Sequence, residues 1–360
     1  MTFSVITPSF NQLDWLRLCV ASVRDQVGVA SNAMGNGEYG NLKAETGKLK
    51  PENPLQVSSF KSQVSRSPLA VEHIIQDAGS PGIEGFAREV GAAFYRDGVF
   101  VFPDENAKCE MGSWKLDESQ HGDELQKSIS KGTRPYRLAI FSERDKGMYD
   151  AINRGLEKSS GEVCAWLNCD EQYLPGTLAK VAKIFTGASD LDVLLGDALL
   201  TDASHRPVCY RRIMVPYRWH TRLDHLHSLS CAMFFKRSAL PSPPLDPRWK
   251  VIGDAVLMDH FLGSGKKIRA CGDLLSAYAF TGRNLSANPA HNEHAKWLEE
   301  AKWPPGFLRP LVVLQNRLRR MAHGAYGSFR VEAGLFSPDS LMERVATSAT
   351  VPGTWPDRAG

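Results

Sequence analysis

Three features predict an α/β protein built on a mostly parallel, mixed sheet flanked by helices. Short β-rich runs alternate with segments of helical periodicity along the first 200 residues. The apolar runs, such as Val163 to Leu167, are too short to be helices. Several of them end in acids and amides, the signature of a ligand edge outside the carboxyl ends of parallel strands.

The elements follow in order. Phe3 to Thr7 is a β-rich run stopped by Pro8, and Asn11 is placed to cap a helix from Gln12 to Asp25, where Leu13, Leu16, Val20 and Val23 recur at helical spacing. Val71 to Gln76 reads as a second strand, and Asp77 to Gly82 as the turn after it. Leu138 to Phe141 is a third strand. Met148 to Glu157 then presents Met148, Ile152 and Leu156 on one helical face. After the strand Val163 to Leu167, Leu178 to Phe185 is helical and Asp192 to Asp197 is a strand. Residues 28–68 and 104–135 are polar and aperiodic, and read as surface insertions in a domain spanning residues 1–303. Pro304-Pro305 opens an extension, residues 304–360. In it Leu308 to Met321 is a basic amphipathic helix, and the chain from Ser337 is a poorly ordered tail. That helix suits an anionic membrane surface or, equally, packing on the main domain with a solvated basic face.

Composition narrows the function. The 360 residues are 42% hydrophobic, enough for a large core, and the net charge of +3 leaves no nucleic-acid footprint. Seven scattered cysteines without CxxC spacing argue against a zinc knuckle or a disulfide framework and for a reducing, cytoplasmic setting. No apolar run reaches the roughly 18 residues of a membrane span.

Two stretches carry the chemistry. Asn168, Cys169, Asp170 and Glu171 end an apolar strand, and one or two carboxylates there supply hard oxygen ligands for Mg or Mn. Ser142 to Gly155 sets Arg144, Asp145 and Lys146 before a glycine-marked helix start, with Asp150 and Asn153 three apart on the helix. Cations and amides at a helix N-terminus favour phosphate. Asp77 closes the second strand and Thr7, Pro8, Ser9 and Asn11 the first, so all reach the same sheet edge.

Over residues 2 to about 286 these motifs resemble the family 2 glycosyltransferases of the GT-A type. The resemblance rests on Ser4 to Asn11, Asp77 to Gly82, Ser142 to Leu156, Leu167 to Glu171 and Gly196-Asp197. It implies a GT-A (Rossmann-like) sheet and a nucleotide-sugar donor, with a UDP-sugar favoured. Asp77 would meet the base, with Thr7, Pro8 and Ser9 around base and ribose; Arg144, Asp145, Asn153 and Asn168 would line the donor, and Arg283 would touch the diphosphate. Asp170 would hold the metal, with Glu171 in place of the family's second aspartate. In Gly253-Asp254 the resemblance makes Asp254 the catalytic base, with Val256 and His260 replacing the usual Asp and Arg; Asp254 as a plain helix cap is the rival reading. Ser230 takes a position usually held by histidine, which displaces His225 and His227.

The implied reaction is an inverting transfer to a hydroxyl of a glycan or lipid-linked acceptor, in bacterial surface-polysaccharide synthesis at the inner face of the membrane. A non-catalytic nucleotide-sugar-binding protein on the same fold is the competing class. A nucleotidylyltransferase fits less well, because its Gly-rich, basic loop is missing after Phe3 to Thr7.

Overall fold

The computed structural model describes residues 1–27, 69–103, 136–282, 284, 293–300 and 306–354. Both expected insertions, 28–68 and 104–135, and Arg283 lie outside the described residues.

The chain begins β1 (Thr2–Ser9), α1 (Leu13–Arg24), β2 (Ala70–Asp77), α2 (Ile83–Val90), β3 (Ala93–Arg96), β4 (Val99–Phe102) and β5 (Tyr136–Ser142). It continues α3 (Met148–Glu157), β6 (Val163–Trp166), β7 (Glu171–Tyr173), α4 (Thr177–Gly187), β8 (Val193–Asp202) and β9 (Pro207–Arg211). Then come α5 (Arg218–Leu223), β10 (Met233–Lys236), α6 (Gly253–Gly263), β11 (Ile268–Phe280), α7 (Glu293–Glu300), α8 (Arg309–Ala322), β12 (Ser328–Ser337) and β13 (Ser340–Pro352).

Among the described residues one sheet runs β4-β3-β5-β2-β1-β6-β10-β8-β11-β7, with β9 on β8. The block β3-β5-β2-β1-β6 is parallel, and β10, β7 and β9 enter antiparallel. This is the predicted mixed α/β sheet. Helices cover it because parallel strands need crossovers and must be buried on both faces. No helix among the described residues is long and apolar enough to cross a membrane.

The central strand β2 shows how polar sequence is buried. All eight of its residues are buried, including Glu72, His73 and Gln76. Each finds partners: Glu72 accepts from Ser4 Oγ and the Ser160 N–H, His73 bonds Thr7 and Tyr136, and Gln76 bonds Glu143 and Lys158. Burial, helped by the charge of Arg24, pushes His73 down to about 3 and keeps it neutral.

Three local expectations are corrected. Pro8 does not stop β1, which runs on to Ser9. Pairing with β6 ends at Ile6–Trp166, while Ser9 O accepts the Ala78 N–H on the β2 side. Pro8 therefore faces the side where its missing N–H costs no ladder bond. Asn11 does not cap α1; Gln12 holds that place, and Asn11 adopts a positive φ of 53° with its N–H on Ser80 Oγ at 2.7 Å. Nor does a loose tail begin at Ser337. β12 and β13 form a hairpin whose Phe329, Val331, Leu335 and Val351 pack on Leu174, Leu199 and Tyr210. Phe329 stacks on Tyr210 with centroids 4.5 Å apart.

The extension helix α8 is docked by its polar face. Gln315 Oε1 receives the Trp219 and His220 ring N–H groups, Asn316 reaches Asp224, and Arg319 lies 3.8 Å over Tyr217. Phe307, just before the helix, and Leu311, Leu314, Leu318 and Met321 instead point outward, between 51% and 73% exposed. This inverts the expected solvated basic face.

Candidate active site

A cavity of about 1850 Å³ opens at the carboxyl ends of the parallel strands. Pro8 and Ser9 reach it from β1, Arg144 and Asp145 from the turn after β5, Asn168 and Asp170 from the turn after β6, and Asp254 from the start of α6. Their approach reflects topology, since parallel strands deliver their carboxyl ends to one rim.

Local structure sets each group. Gly147, at φ 118°, lies in a region that side chains disfavour, and its N–H donates to Asp145 Oδ1 at 2.8 Å. That turn aims Asp145 at the cavity before α3 starts. Burial raises the Asp145 carboxyl above its ordinary value. At α6, a Cβ on Gly253 would lie 2.6 Å from the Tyr149 ring, so only glycine lets α6 approach that closely. Tyr149 donates to Val251 O at 2.9 Å and accepts the Asp254 N–H at 3.4 Å, fixing Asp254 in place. Burial lifts Asp254 to about 6, against the opposing pull of the Ala255 N–H.

The donor set at Asp170 fits a hard divalent cation. Burial raises the carboxyls of both Asp170 and Glu171, and the Asp170 charge raises Glu171 further. A nearby cation favours the ionised form and reverses that direction. The buried Oδ1 of Asn168 has no hydrogen-bond partner among the described residues, and Asn284 Nδ2 steadies Asp170 Oδ2 at 2.8 Å. Oxygen ligands suit Mg or Mn.

Five expected site residues are not in the cavity lining, and all but Asn11 are buried. Asp77 is fully buried, its carboxylate accepting the Gly79 and Ser80 N–H groups and the Ser80 hydroxyl; it shapes the turn that presents Ala78 and Gly79 to the cavity. Thr7 is buried against His73 and Cys19. Asn11 is exposed, and its backbone N–H donates to Ser80 Oγ. Asn153 clamps the backbone of Leu245, donating to its O at 2.7 Å and accepting its N–H at 3.0 Å. Glu171 is 1% exposed and folds back, Oε2 accepting the Asn168 N–H at 2.6 Å.

A further part of the lining drew no role from sequence beyond the note that His225 and His227 are displaced. Arg211, Asp224, His225, His227, Arg317, Arg320 and Tyr326 form it. Asp224, His225 and His227 bring ligand atoms within 4.8 Å of one another, a second donor set for a metal. Asp224 Oδ1 meets His225 Nδ1 at 2.8 Å, and burial pushes His227 down to about 3. The signal for this wall lay in the histidine pair and in the arginines of the extension, which only the docking of α8 brings together.

Fold and site define an α/β protein whose strand ends meet at one cavity lined by Arg144, Asp145, Asp170 and Asp254. Residues 118–239, about a third of the chain, match the family described as Glycosyl transferase family 2. A PGL/p-HBAD biosynthesis glycosyltransferase of Mycobacterium bovis is 34% identical over 71 residues, 19% of this chain and 28% of that protein. An uncharacterised glycosyltransferase of Nostoc sp. is 24% identical over 204 residues, 53% of this chain and 61% of the relative. The chain thus spans less than two thirds of these relatives. Among solved structures, S. aureus TarS 1-349 in complex with UDP-GlcNAc aligns at TM-score 0.44 and 13% identity, covering 80% of this chain and 61% of that one. Mannosyltransferase PcManGT from Pyrobaculum calidifontis, in complex with GDP-Man and Mn2+, aligns at TM-score 0.41 and 12% identity, covering 87% and 68%.

Proposed function

We propose that this protein transfers a sugar, with inversion, from a nucleotide-diphosphate donor to a hydroxyl of a glycan or lipid-linked acceptor. One observation carries the reading: Asp145, Asp170 and Asp254, far apart in sequence, line one cavity with Arg144 at the strand ends. A UDP-sugar is the favoured donor.

The residues divide the work. Pro8, Ser9, Ala78 and Gly79 form the floor against which base and ribose rest, with Asp145 at the ribose and Arg144 at donor phosphate. Asp170, with Asn168 Oδ1, would hold a divalent cation, which supplies charge neutralisation for the departing diphosphate. Asp254 accepts the acceptor hydroxyl proton at its carboxylate, and its lift to about 6 places it closer to working pH than an ordinary aspartate. A single displacement needs no covalent intermediate, so one base suffices.

The acceptor reading draws on α8. Its outward apolar stripe is bordered by exposed Arg309 and Arg317, the pattern of a helix lying in an anionic lipid surface. We assign the protein to the cytoplasmic face of a membrane, in surface-polysaccharide assembly. Cosedimentation with phosphatidylglycerol vesicles should occur for the wild type and fall for Leu314→Glu/Leu318→Glu; unchanged binding removes the membrane contact.

The activity is tested by release of UDP, dTDP or GDP from their sugars with Mn2+, water serving as acceptor. Asp170→Asn should lose metal-dependent release, and Asp254→Asn should lose release yet keep nucleotide binding. Full turnover by either variant overturns the assignment.

A further inference from the structure

Arg320 is a buried cation without a hydrogen-bonded counterpart among the described residues. It is 1% exposed, and none of its three guanidinium nitrogens has a hydrogen-bond partner among the described residues. Its Cζ lies 5.4 Å from the centre of the Tyr326 ring. A buried charge is retained only where something compensates it. A second guanidinium stands beside it: Arg211, 5% exposed, is pushed down to about 10 by burial and by the charge of Arg320. Two like charges thus stand near one another, both lining the cavity, with Arg317 in the same lining.

The neighbouring carboxylate makes no hydrogen bond to Arg320 among the described residues. Asp224 has its Oδ1 on His225, and its Oδ2 is engaged by Asn316 Nδ2 at 2.8 Å and by His227. His227 Nδ1 faces Arg211 Nη2 at 3.3 Å and helps set that fork. Paired guanidinium forks match a tetrahedral dianion, which can receive a bidentate contact from each.

We propose that Arg211 and Arg320 bind a phosphate group carried by the acceptor. The assignment to acceptor rather than donor follows from placement, and it rests on the glycosyl-transfer reading. The pair belongs to the wall made by β9 and α8, whereas the donor's diphosphate has Asp170 and its cation at the ends of β1 and β6. α8 also joins the two halves of such a molecule: Arg320 faces the cavity while Leu314 and Leu318 face outward, where a hydrocarbon chain would lie.

The test is titration of inorganic phosphate into the full chain saturated with UDP and Mg2+, followed by calorimetry and thermal unfolding. Wild type should bind phosphate and melt higher with it. Arg320→Gln and Arg211→Gln should each weaken that binding about tenfold or more, the scale of a lost charge-assisted fork, and leave UDP affinity within about twofold. In phosphate-free buffer Arg320→Gln should melt at or above wild type, since the deleted charge has no hydrogen-bonded partner among the described residues; a lower melting point would make Arg320 structural and overturn the proposal. Unchanged phosphate binding by Arg320→Gln overturns it as well. Loss of UDP binding in that variant moves the anion to the donor and also overturns it. Failure of wild type to bind UDP, with phosphate binding intact, would instead count against the transfer reading alone.

Discussion

Replacing Asp254 by Asn separates a catalytic base from a helix cap, because the two roles give opposite signs in stability. The carboxyl is raised from its ordinary 3.8 to about 6, chiefly by burial. Such a group stabilises the fold fully below the lower value, and that contribution is lost as pH rises through the upper one. The rise corresponds to about 3 kcal/mol. Solvent reaching Asp254 from the open cavity, and the favourable N-terminal dipole of α6, reduce the net to about 1–2 kcal/mol. Asn keeps the shape and one oxygen for the Ala255 N–H but carries no charge. The variant should therefore match wild type near pH 4 and exceed its stability by about 1–2 kcal/mol above pH 7. Urea unfolding from pH 4 to 8 measures this, alongside donor turnover, which should fall about 10²- to 10⁴-fold. If the Asp254→Asn variant is no more stable than wild type at pH 7.5, or still turns over, the argument from burial fails.

Other outcomes follow from the same geometry. Wild-type turnover should rise with pH through about 6 as Asp254 ionises, and a rate flat from pH 5 to 8 would exclude it as base. Glu171→Gln should keep metal-stimulated turnover within a few-fold, since Glu171 faces away from the cavity; collapse of metal dependence would return it to the ligand set. Phe329→Ala should cost about 3–5 kcal/mol in urea unfolding, because the ring is fully buried against Tyr210; a loss below about 1 kcal/mol would mean the hairpin is dispensable. Asn153→Ala should cost about 1–3 kcal/mol by orphaning the Leu245 N–H, with UDP affinity unchanged; weaker UDP binding would restore Asn153 to the donor site.

Much of the sheet was legible because parallel strands and their crossover helices write their period locally. Met148 to Glu157 was read to the residue, and Asp170 and Asp254, singled out from local strand-end and helix-start chemistry, both line the cavity. The observed contacts differ from the expected ones where the partner lies elsewhere in the fold. Asp77 has the composition of a ligand, yet the Gly79 and Ser80 N–H groups take it. Asn153 looks like a helix-face donor until Leu245, 92 residues on, is beside it. The arginines of α8 read as facing a membrane surface or solvent, and only the docked helix shows Arg320 turned inward. The hairpin was missed because β13 mixes polar residues with Leu, Met, Val and Ala and is mostly exposed, so it shows no clear buried face in sequence.

Arg344 in β13 reaches across the molecule to Asp25, next to α1, at 2.7 Å, and also bonds the carbonyls of Tyr173 and Gly334. Segments 319 positions apart thus close one seam. During synthesis the early strands wait, with the apolar flank of Leu174, Leu199 and Tyr210 bare, until residue 344 has cleared the ribosome. Nascent chains stalled before that point should attract chaperones, so the seam sets when this protein becomes safe from aggregation.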